Sequence, residues 1–99
     1  MTTTPTPSSV LRDLTASAPL VQTSRAAMSV ANGVQHVEHR GARLLGLVVA
    51  ALIAVEASRL SPADLFAYAR NCMNDAEGRR PEFRAVDEYV RKEILSPAD

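Results

Sequence analysis

The stretch that decides the fold is RLLGLVVAALIAVE, residues 43–56. Between Arg43 and Glu56 it holds no charged side chain, and its apolar positions do not alternate with polar ones. Alternation with period two would indicate a half-buried strand, whereas apolar residues at steps of three and four indicate a helix. Here the steps are helical. Ala27, Val30, Val34, Val37, Gly41, Leu44, Val48, Ala51 and Val55 follow one another in an unbroken alternation of three and four. That is a heptad seam, and it predicts one long central helix over about residues 20–60.

In the second half of this helix Leu45, Val49, Leu52 and Ile53 widen the apolar face to nearly the whole circumference. A helix apolar on every side needs other helices around it. The first half keeps a polar face of Gln22, Arg25, Ser29, Gln35, Glu38 and Arg40. The expectation is that the first half projects and the second half lies inside. Asn32-Gly33 is the weak point, since Asn followed by Gly can end a helix. The unbroken seam argues for continuity, with a bend near Gly33. The uncharged run from Leu44 to Val55 would rise about 18 Å as a helix, short of a hydrocarbon core of about 30 Å. A buried core helix is therefore expected, and no membrane partner.

Along the same helix Ala42, Gly46, Ala50, Ala54 and Ser58 recur every four residues. Small side chains at this spacing form a ridge that lets a second helix approach closely. This ridge is the candidate helix-packing or oligomer surface.

Working outward, two shorter helices follow. Ser61, Pro62 and Asp64 carry an N-terminal signature, with Ser61 as cap and Pro62 at the first helical position. Leu65, Ala69, Cys72, Met73 and Ala76 line one face, and Gly78 is the expected stop. Pro81 opens the last helix, whose stripe is Phe83, Val86, Val90 and Ile94. Asp87–Arg91 and Glu88–Lys92 are acid-before-base pairs one turn apart, each adding about 0.3 kcal/mol. Toward the N-terminus, Ser9 is positioned to cap a short helix holding Val10, Leu11 and Leu14, which Pro19 ends. Residues 1–8 are rich in Thr, Pro and Ser, carry little to bury, and are expected to be a disordered tail. Residues 9–99 then form a single domain. No strand is expected. The fold class is all-α: a small helical bundle built on one long central helix, with two shorter C-terminal helices, completed by self-association.

Composition supports that last step. The chain has 99 residues and 10.6 kDa, with eleven basic and eleven acidic side chains. Much of its apolar content is alanine, and each buried methylene contributes only about 0.8 kcal/mol. A chain of this size with few large side chains gains core by associating, so a homo-oligomer is expected. Cys72 is the lone cysteine, which excludes a disulfide framework. No basic and apolar leader opens the chain, and a cytoplasmic location is expected. The arginine and alanine bias suggests a bacterial or phage gene.

Chemistry-bearing patterns are sparse. His36-Val37-Glu38-His39 places two histidines three apart, whereas the helical zinc-protease pattern needs four. A solvated polar face is the simpler reading. No nucleophile elbow and no phosphate-cradling glycine loop is present. No catalytic residue, metal or cofactor is therefore expected. The strongest surface feature is the basic cluster Arg79, Arg80 and Arg84. It is the candidate surface for a protein partner or a nucleic acid. Residues 61–95 could serve as a helix-turn-helix in a small dimeric DNA-binding regulator. Against this, Asp87 and Glu88 sit in mid-helix, where phosphates would repel them. The alternative for Arg79 and Arg80 is that they close the turn onto carbonyls of the preceding helix. The favoured expectation is a non-catalytic, self-associating helical module that binds a protein partner as accessory, regulator or inhibitor.

Overall fold

A computed structural model describes residues 7–96, with side-chain surroundings from Ser9 onward. The protein is mostly helical, as the periodicity predicts. Its elements are α1 (Pro7–Ala16), α2 (Leu20–Gly33), α3 (Arg40–Ser58), α4 (Pro62–Met73), β1 (Asn74–Asp75), β2 (Gly78–Arg79) and α5 (Pro81–Tyr89). A π-helical segment, Val90–Ile94, continues α5. The expected tail over 1–8 falls, for residues 1–6, outside the described residues. The first helix begins at Pro7, two residues before the expected Ser9 cap.

The single long helix over 20–60 is not formed. The chain leaves the helix at Gly33 and re-enters it at Arg40. Two anchors outweigh the continuous seam. On one side the Tyr89 hydroxyl donates to Asn32 Oδ1 at 2.9 Å, fixing the end of α2 to α5. On the other, Arg43 donates to the carbonyls of Gln35 and Val37, which the break has freed. Gly33 does not act through a left-handed cap. The cap position is Val34, at φ −101° and ψ 1°.

His39 also departs from expectation. It is not on a helical polar face but caps α3, its Nδ1 accepting from the Ala42 N–H at 3.2 Å. Gly41 makes room for the ring, since a Cβ there would lie 2.9 Å from His39 Cε1.

The core sits between α2 and α5 with its π-helical extension. Ala31, Phe83 and Ile94 are the buried apolar residues among those described, and Ile94 is fully enclosed. The Leu95 N–H reaches the Val90 carbonyl at 2.9 Å, five residues back. The carbonyls of Glu93, Ile94 and Leu95, left without intrahelical donors at this helix end, accept from Arg43 and Arg40 at 3.1–3.2 Å. In this way the start of α3 is tied to the end of the chain.

Gly78 does not stop α4. That helix ends at Met73, and a short antiparallel hairpin follows with Asn74 opposite Arg79 and Asp75 opposite Gly78. No strand was expected because two residues per strand are too few to show a period. Gly78 lies at φ +123°, a conformation that needs glycine, and serves the hairpin rather than a helix end.

The expected placement of the two halves is reversed. The polar-faced half, α2, packs and buries Ala31. The all-apolar half, α3, has no buried residue and is not enclosed within one chain. The molecule is elongated, 62 × 31 × 20 Å.

Candidate functional site

The largest unusual surface is α3 itself. Leu44, Leu45, Val48, Val49, Leu52 and Ile53 are all exposed, from 45% at Val49 to 63% at Leu45. Only Arg43, Leu47, Val55 and Ser58 along this helix are even half-covered. The helix forms because it is capped by His39 and rich in Leu and Ala, the best helix formers. It ends at Arg59, held at φ 60° in the left-handed region. No packing explains the retention of six large apolar side chains on the surface. Monomeric proteins rarely expose a contiguous apolar patch larger than a few hundred Å².

The small-residue ridge lies on this helix. Ala42, Gly46, Ala50 and Ala54 are exposed and Ser58 is half-covered. A Cβ built on Gly46 meets nothing within 4 Å. The ridge therefore makes no close helix contact among the described residues of one chain.

The basic cluster is brought together by the hairpin and the start of α5. Arg79 donates from Nε to Asp87 at 3.0 Å and from Nη1 to Asn74 Oδ1 at 3.1 Å. Arg80 donates from its backbone N–H to the Met73 carbonyl at 2.7 Å and from Nη2 to the Asn71 carbonyl at 3.3 Å. Arg84 donates to the Arg79 carbonyl at 3.4 Å. All three guanidinium groups thus hold the junction between α4 and α5. The junction spans residues 74–80 and includes a hairpin, longer than the three- or four-residue turn of a DNA-reading helix-turn-helix.

Asp87 is the electrostatic centre of this region. Arg91 donates to one carboxylate oxygen and Arg79 to the other. These hydrogen bonds, Arg91's first and Arg79's second, hold its carboxyl below the ordinary value, against a smaller opposing effect of desolvation. Sequence spacing shows Arg91 as a partner of Asp87. Arg79 arrives through the hairpin, which spacing does not reveal.

Beside this cluster lies a cleft of about 510 Å³ between α2, α4 and α5. Sequence reading missed it, because its walls come from elements distant in the chain. Ala69, Cys72 and Met73 of the apolar face expected on α4 line it, whereas Leu65 does not and Ala76 lies beyond the end of that helix. No group of three or more metal-ligating side chains occurs among the described residues.

No family model, curated protein or solved structure matches the chain.

Proposed function

We propose that this protein is a non-catalytic helical interaction module that works as a self-associated assembly. Copies meet through α3, and the assembly binds a protein partner. The observation that carries the reading is the exposure of Leu44, Leu45, Val48, Val49, Leu52 and Ile53 on one capped helix.

A bilayer is the rival cover for such a surface. By length and composition Arg40–Ser58 could cross one, with mean hydropathy 1.8 over a window in this 19-residue helix. The full helix rises about 28 Å, longer than the uncharged run alone suggests. Topology weighs against a span. Thr23 and Ala27 of α2 and Ala69 and Cys72 of α4 line one cleft, so the elements before and after α3 share one body. A spanning α3 would place them on opposite sides of the membrane. A helix lying in the interface needs a charged face, and Leu44–Val55 has none.

Magnitude favours more than a two-helix seam. A 19-residue helix about 10 Å wide has a lateral surface of roughly 900 Å². Two such helices sharing a third of their surface remove about 600 Å², half the lower bound of about 1,200 Å² for a stable specific interface. Covering several faces at once calls for a bundle of more than two copies. The DNA-binding alternative would rest on Arg79, Arg80 and Arg84, and their engagement within the α4–α5 junction weighs against it.

Sedimentation equilibrium of the full chain tests the proposal. The wild type is expected as a multiple of 10.6 kDa, and Leu45→Glu with Ile53→Glu as a helical monomer. A wild type that is monomeric at tens of micromolar would overturn it.

A further inference from the structure

The cleft between α2, α4 and α5 holds about 510 Å³, within the range of about 300–1,000 Å³ typical of small-molecule sites. Its wall is apolar: Ala27 from α2, Ala69, Cys72 and Met73 from α4, and Phe83 and Val86 from α5. The uncharged central stretch of a second copy's α3 would bring nothing to the charged side of the cleft.

That side has a definite sign. The charged residues lining the cleft are Arg79, Arg91 and Asp87, two positive and one negative, for a net charge of +1. Asp87 is already satisfied on both oxygens. The guanidinium groups are not. Each has five N–H donors, and Arg91 gives only Nε to Asp87 while its side chain is 73% exposed. Arg79 uses Nε and Nη1, leaving Nη2 without an acceptor among the described residues. The pair thus offers terminal N–H groups at the edge of an apolar cleft, where carboxylates are well recognised.

We propose that this cleft binds an amphipathic monocarboxylate, with an apolar body the size of a medium acyl chain against Ala69, Cys72, Phe83 and Val86 and its carboxylate on Arg91. The apolar wall supplies affinity and the net positive side selects the anion over a neutral molecule of the same length. No residue of α3 lines the cleft, so the site is tested separately from self-association.

Decanoate is the probe, with decanol as its neutral counterpart, each titrated calorimetrically into the full chain below its aggregation limit. One decanoate per chain is expected, bound about tenfold more tightly than decanol, the scale of one charge-assisted hydrogen bond. Arg91→Gln is expected to remove that preference while leaving decanol binding unchanged. Ala69→Phe, which fills the cleft, is expected to abolish both. Cys72 provides a readout on the unaltered protein, since it lines the cleft and is only half-covered. Saturating decanoate should slow its alkylation by iodoacetamide at least fivefold, in line with near-full occupancy of a single site. Equal affinity for decanoate and decanol, binding at several sites per chain, or unprotected Cys72 at saturation would each overturn the proposal.

Discussion

The guanidinium of Arg43 donates to the carbonyl of Ile94 at 3.1 Å, joining the first turn of α3 to the π-helical segment that follows α5. The same side chain also donates to Glu93, Gln35 and Val37, so one arginine holds three segments. Hydrogen bonds to a charged group are each worth more than neutral ones, although exposure at several of these sites reduces the gain. Arg43→Met is expected to lower stability by about 2 kcal/mol. Arg43→Lys is expected to recover little of it, because an ammonium lacks the planar fork that reaches several carbonyls at once. Urea unfolding of the two variants checks both statements, and a lysine as stable as the wild type would contradict the clamp.

Asp87 gives the fold a defined response to acid. Its carboxyl is held below the ordinary value of 3.8, by hydrogen bonds from Arg91 and then Arg79. A group whose pKa is depressed on folding adds stability that is fully present above its unfolded pKa and is lost as pH falls through its folded pKa. The wild type should therefore lose stability on acidification through the ordinary carboxylate range and below it. Asp87→Asn should be less stable than wild type near neutrality and show a shallower loss as pH falls through the ordinary carboxylate range and below it. Denaturant midpoints measured across that range test the sign. Parallel curves for the two proteins would show that the pairing with Arg79 and Arg91 adds nothing.

Much of this fold was legible in the residues, for identifiable reasons. Ser61, Pro62 and Asp64 mark the start of α4, and the Ser61 hydroxyl accepts from the Asp64 N–H at 3.3 Å. Pro81 opens α5 at its first helical position, with no side-chain cap. These signals are local, so neighbouring residues suffice to read them. The break at 34–39 was not legible, because one anchor comes from Tyr89, far along the chain, and the other, Arg43 on the Gln35 and Val37 carbonyls, is a side-chain contact that leaves no periodic signal. Hydrophobic periodicity showed that both halves are helical and could not show that they are separate helices. The all-round apolar face of α3 was read as enclosed by other helices, yet no residue of α3 is buried among the described residues. Periodicity carries no information on whether that cover comes from the same chain. The cleft was invisible for the same reason as the break, since its walls come from α2, α4 and α5.

The end of α3 carries a removable cost. Arg59 is the only non-glycine residue at positive φ among those described, at 60°. The left-handed conformation costs a residue with a Cβ about 1–2 kcal/mol, and glycine is the favoured residue at such a helix end. The Arg59 side chain makes no hydrogen bond or ion pair among the described residues, so little is lost with it. Arg59→Gly should raise stability by about 0.5–1 kcal/mol, reduced from the full strain by the greater freedom of glycine in the unfolded chain. Thermal melting at fixed protein concentration measures it. A lower melting temperature would mean that the arginine has a favourable contact in the assembly.

The ridge on α3 separates packing within a chain from packing between chains. Ala50 lies midway along Ala42, Gly46, Ala54 and Ser58 and is exposed in the single chain. Because Ala50 is exposed, leucine there is expected to add little strain within the protomer, and it is nearly as good a helix former as alanine. An isolated protomer carrying Ala50→Leu should therefore change by less than about 0.5 kcal/mol. In an assembly joined by closely approaching α3 helices, the same three added heavy atoms would fall where a neighbouring backbone lies, and overpacking of this kind costs about 1–3 kcal/mol. The expected outcome is a weaker or altered assembly whose chains stay helical by circular dichroism. Gln35→Leu is the control. Its side chain is exposed in the 34–39 connection, and only its backbone carbonyl is engaged, by Arg43. It should leave assembly size unchanged. If Ala50→Leu also leaves assembly size and stability unchanged, copies do not meet along the ridge. If instead the protomer is destabilised while the assembly keeps its size, a contact within the chain covers Ala50 in solution.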